Sequence, residues 1–128
     1  MKNNFNLVWK THDFIVEDIV NKESSFEFMF KDLEELVELF KCDLIEPDVM
    51  EEVLDRYENN CLVLINLYKK HIQVLAEIKT IIQDGNQPPG GDLSLRGVSE
   101  LSNSTQELIQ SVKDSILMLK AIKKKLLT

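Results

Sequence analysis

Steps of three and four from Phe5 visit Phe5, Val8, His12, Ile15, Ile19, Lys22, Phe26, Met29, Leu33, Leu36 and Phe40, nine of them apolar. Trp9, Val16, Phe30 and Val37 lie one residue beyond stripe positions. They widen the stripe into a face that can meet two neighbours rather than one. The same steps from Met50 give Met50, Leu54, Tyr57, Cys61, Leu64, Tyr68, His71, Leu75, Ile78 and Ile82, flanked by Val53, Ile65, Leu67, Ile72 and Val74. This second segment is the most apolar and is expected at the centre. A third series from Val98 runs through Leu101, Thr105, Leu108, Val112, Ser115, Leu119, Ile122 and Leu126.

Local signals bound these segments. Pro47 suits a first helical turn, where its missing N–H has no partner to lose. The run from Asp84 to Asp92 gathers Gly85, Asn86, Pro88, Pro89, Gly90 and Gly91, residues that break regular structure. Ser94 offers an early cap for the last helix, whereas Ser104 with Glu107 offers a capping box for a later start. The expected fold is all-α: one domain over 1–128, an up-down-up bundle of three long antiparallel helices over about 4–42, 47–83 and 95–127, with a Gly/Pro loop at 84–93. At 1.5 Å per residue the rods are about 50–58 Å long, matched well enough to lie side by side. The alternative is a four-helix bundle, in which Ser24 and Glu27 form a capping box that breaks the first helix near Ser24.

Charge adds a polarity. The net charge is −7, and residues 17–58 hold fifteen Asp or Glu against four Lys or Arg, whereas residues 94–128 hold six basic against three acidic. Up-down-up connectivity brings Lys120, Lys123, Lys124 and Lys125 beside the acidic stretch around Asp43, Glu46, Asp48, Glu51 and Glu52. An acidic chain without a basic cluster argues against a nucleic-acid surface. Apolar runs such as Leu62–Ile65 are far below the roughly 20 residues that span a bilayer, and Lys123–Lys125 is a weak signal for anionic lipid. With no secretory pattern at the N-terminus, the expected location is cytoplasmic, with Cys42 and Cys61 as free thiols and the Asn103 sequon unused.

Chemistry-bearing residues are sparse. His12 and His71 occupy stripe positions near the start of helix one and the end of helix two, which an antiparallel arrangement can bring within a turn or two. Glu-x-x-His pairs are absent, and His71 is followed by the interior pattern Ile72, Gln73, Val74, Leu75. Cys61 is a stripe residue, and Cys42 lies at an acidic helix end. No cofactor, metal or catalytic residue is expected. With Phe5 at heptad position a, Leu7, Phe14 and Phe28 fall at position c, which should face water. Large apolar groups in such a row mark a partner surface unless another helix covers them. The expected function is a noncatalytic adaptor, assembly subunit or chaperone that binds a partner helix or peptide at Leu7, Phe14 and Phe28 or in a groove beside them, or that pairs with a second copy of itself. The alternative is a phosphorelay or metal-binding bundle using His12 or His71.

Overall fold

The computed structural model describes residues 2–85 and 94–128, with side chains from residue 6 onward; the Phe5 side chain and residues 86–93 of the connection lie outside what is described. The described residues form no strand. They form three helices in succession, α1 (Lys2–Lys41), α2 (Pro47–Gln83) and α3 (Leu95–Leu127).

α1 is unbroken at Ser24, so the three-helix arrangement prevails over the four-helix alternative. The hydroxyls that could have capped a new helix are used inside the existing one. Ser24 Oγ donates to the Val20 carbonyl at 3.2 Å and Ser25 Oγ to the Asn21 carbonyl at 3.4 Å. α1 ends in a Schellman turn, in which Leu44 N–H donates to the Leu39 carbonyl at 2.9 Å and Asp43 N–H to the Phe40 carbonyl at 3.0 Å. Such a turn needs a left-handed residue, and Asp43 supplies it at φ 61°. Glycine takes this conformation without the Cβ clash, so Asp43→Gly is expected to raise stability by about 0.5–1 kcal/mol after its extra chain entropy is deducted. Urea unfolding followed by circular dichroism measures the change. α2 begins with Pro47 in its first turn, after an extended Glu46, and Gly85 at φ 92° follows its last turn. α3 takes the early start, because Ser94 Oγ accepts from Gly97 N–H at 3.0 Å.

α2 is the middle rod. α1 and α3 both pack on it, but no Cα of α1 comes within 8 Å of one in α3 among the described residues. Burial follows this placement. α2 buries Met50, Leu54, Cys61, Leu64, Ile65, Tyr68, His71, Val74, Leu75 and Ile78, and α3 buries Val98, Thr105, Ile109, Val112, Ile116 and Leu119. α1 buries only Ile19, Met29 and Leu33 among its described side chains, so the stretch before Ile19 is held by partly covered residues alone. Val8, Trp9 and Ile15 pack there on a small cluster of Val74, Leu75, Ile78 and Val98.

Charge reinforces the topology. Lys123 Nζ lies 2.8 Å from Asp55 and 3.6 Å from Glu51, and Lys120 Nζ lies 3.5 Å from Glu58. The hydrogen bond to Asp55 leads the effects that raise the Lys123 pKa above its ordinary value. Of the four C-terminal lysines, Lys120 and Lys123 therefore meet acidic residues along the first turns of α2, and of the expected acidic set only Glu51 takes part.

One part of the third series differs from expectation. Val98, Thr105, Val112 and Leu119 are buried, but Ile109 and Ile116 complete the row, while Leu101 and Leu108 remain 40% and 42% exposed. Thr105 to Ile109 and Val112 to Ile116 are steps of four, which keep the row on α2. Leu101 and Leu108 lie on the other side of the stripe, where closure by α1 would have covered them.

Candidate functional site

The gap between α1 and α3 is a groove. Phe30, Leu33 and Val37 of α1 face Met118 and Ile122 of α3 across a hollow of about 600 Å³, with Glu34 and Glu38 at its edge. A second hollow of about 530 Å³ adjoins it along α1, formed by Phe26, Glu27, Phe30, Lys31 and Glu34. Phe26 and Phe30 meet edge to face, with centroids 4.8 Å apart, and make a stiff aromatic wall. Neither Glu34 nor Glu38 has a basic partner within 4 Å among the described residues.

Heptad spacing extends both walls. Trp9, Val16, Glu23, Phe30 and Val37 recur every seven residues on α1, as do Leu101, Leu108, Ser115 and Ile122 on α3. The two helices run parallel, and their register is fixed where His12 and Thr105 both reach His71. Val16 therefore stands level with Leu108, and Phe30 with Ile122. Glu23, midway along, is half-buried, and its carboxylate lies close enough to Tyr68 of α2 to raise the pKa of that phenol.

Leu7, Phe14 and Phe28 lie on the outer side of α1, 66%, 67% and 66% exposed. They do not line the groove, since Phe28 and Phe30 are about 200° apart around the helix. Asn21 occupies the remaining heptad position of that row, so the surface is a set of apolar points on a convex face.

His12 and His71 meet directly. Their Nε2 atoms are 3.2 Å apart, His71 Nδ1 lies 3.5 Å from Thr105 Oγ1, and Thr105 Oγ1 donates to the Leu101 carbonyl at 2.7 Å. Trp9 stacks on the far face of this pair, its centroid 5.5 Å from that of His12. Burial, with the neighbouring His12 second, lowers the pKa of His71 below its ordinary value.

No protein-family model, curated protein or solved structure matches the chain.

The chemistry of these groups is therefore read from their geometry. Among the described residues no group of three or more His, Cys, Asp and Glu converges as a metal centre, and the carboxylate nearest the histidines, Asp13 Oδ1, stands 3.7 Å from His12 Nδ1. Cys61 is fully buried, and burial followed by the Glu58 charge pushes its thiol up to about 11, away from the reactive thiolate. Cys42 is exposed and free. No helix among the described residues is long and apolar enough to cross a membrane. Sequence reasoning placed both histidines on the apolar stripe and within a turn or two of each other, but not in direct contact. It named a groove beside the Leu7, Phe14 and Phe28 surface without its lining, although the widened α1 face of Val16, Phe30 and Val37 carried the signal.

Proposed function

We propose that this protein is a noncatalytic helix-binding module whose α1/α3 groove takes an amphipathic partner helix with basic flanks. The single observation that carries the reading is the pair of apolar walls facing each other across an open side, where one more rod would complete a four-helix arrangement. Such a groove matches the way amphipathic helices are recognised, through anchors at i, i+3, i+4 and i+7. Glu34 and Glu38 favour lysine or arginine at the flanks, which steers association and sets orientation. Leu7, Phe14 and Phe28 remain a second apolar surface, available to the same partner or to another protein.

The test uses a synthetic helix with leucines on one face and lysines beside them, and its glutamate-flanked counterpart. Two rim pairs at about 0.5–1 kcal/mol each predict a preference of about 5- to 30-fold for the lysine peptide at low salt. The methyl signals of Val37, Met118 and Ile122 should shift on binding. Val37→Asp with Met118→Asp should abolish the shifts, and Phe14→Asp should leave affinity unchanged, with helicity retained in both variants. Equal affinity for the two peptides, or shifts confined to Leu7 and the residues around Phe14, would remove the groove from this reading.

A further inference from the structure

We propose that the His12–His71 pair is a proton-operated clasp, which holds the N-terminal half of α1 on α2 at neutral pH and releases it on acidification. The protons of this cluster can be placed by elimination. Thr105 has one hydroxyl hydrogen, and it is used on the Leu101 carbonyl at 2.7 Å. Thr105 Oγ1 can then only accept from His71 Nδ1–H, which leaves His71 Nε2 bare. His12 Nε2–H must donate to that bare nitrogen, 3.2 Å away. The remaining nitrogen, His12 Nδ1, is a buried acceptor without a hydrogen-bond partner.

This arrangement responds differently to protons on its two bare nitrogens. A proton on His12 Nδ1, beside the Asp13 carboxylate at 3.7 Å, leaves the Nε2–H···Nε2 bond in place. A proton on His71 Nε2 as well removes the acceptor of that bond. Two N–H groups would then face each other at 3.2 Å on two cationic rings, and the contact between α1 and α2 must open. The Asp13 carboxylate on α1, 3.7 Å from His12 Nδ1, offsets charge on the His12 ring only; among the described residues α2 and α3 place no carboxylate oxygen within 4 Å of a nitrogen of either ring, and Thr105 is neutral. The segment released is the one with the least to hold it, because no described side chain of α1 before Ile19 is buried. The direction of the linkage agrees. A histidine that titrates lower when folded contributes stability that is complete above its unfolded value of 6.5 and is lost as pH falls below it.

The protein carries its own reporter, since Trp9, its only tryptophan, is stacked on His12. Between about pH 7.5 and about pH 5, Trp9 emission should change in a step below pH 6.5. Over the same range, amide protection factors in residues 8–18 should fall at least about tenfold more than those in residues 29–40. His71→Gln, which supplies a neutral amide that cannot charge, should remove both responses, and His12→Gln should do the same. Equal loss of protection in the two segments, a flat Trp9 signal in the unaltered protein, or a step that persists in either variant would overturn the clasp. The measurements on the unaltered protein decide the matter even where a variant folds poorly.

Discussion

Leu64→Ala is expected to lower the unfolding free energy by about 3–4 kcal/mol, the middle of the range for leucine truncation in a packed core. Leu64 is 1% exposed and sits midway along the rod that both neighbours cover. The lost methyl groups leave a void that neither α1 nor α3 can fill without surrendering its own packing. Leu62 provides the internal control. It lies two residues earlier on the same helix and is 48% exposed, so Leu62→Ala is expected to change stability by less than about 0.5 kcal/mol. Urea denaturation with matched slopes measures both. A Leu64→Ala loss below about 1 kcal/mol would mean that α2 is not packed on both sides as described.

The second large effect is alkaline. Cys61 and Tyr68, both buried in the central core, are held protonated: burial and then Glu58 push Cys61 from 9.0 to about 11, while burial and then the charge and hydrogen bond of Glu23 push Tyr68 from 10.0 to about 12. Each folded value exceeds the unfolded one. The stability they contribute is therefore complete below pH 9 and is lost as pH climbs towards 11 and 12. For Cys61 two pKa units correspond to about 2–3 kcal/mol. Helicity at 222 nm should collapse within this window, and Cys61→Ala should move the midpoint to higher pH despite a small packing loss. An unaltered midpoint in Cys61→Ala would assign the transition to Tyr68 and its bond to Glu23.

Much of the fold was legible because it depends on signals local in the chain. Pro47 and Ser94 mark helix starts through their own geometry, and the apolar stripes carry the helical period whatever they pack against. Ser24 was ambiguous for a physical reason: a serine before a glutamate three residues on caps a helix or bonds back within one, and only the packing of Phe26, Met29 and Leu33 on α2 decides between them. The seam on α3 failed differently. A stripe that includes Leu101, Leu108, Ile109 and Ile116 is wider than one contact, and periodicity does not say which edge meets a neighbour. The direct histidine contact, between residues 59 apart in the chain, needed the axial register of α1 on α2, which the connecting turn sets and no pattern within a helix reveals.

The placement of α2 between its sequence neighbours also has a kinetic consequence. Among the described residues every approach of helix backbones within 8 Å joins α1 to α2 or α2 to α3, so the molecule is two helical hairpins that share one arm. No pairing must wait for the two ends of the chain to find each other. Loop-closure entropy is then low, and assembly is expected on the microsecond-to-millisecond scale of other locally connected helical proteins. The α2/α3 hairpin, with the larger buried set, is the natural first product, and α1 docks onto a surface already formed.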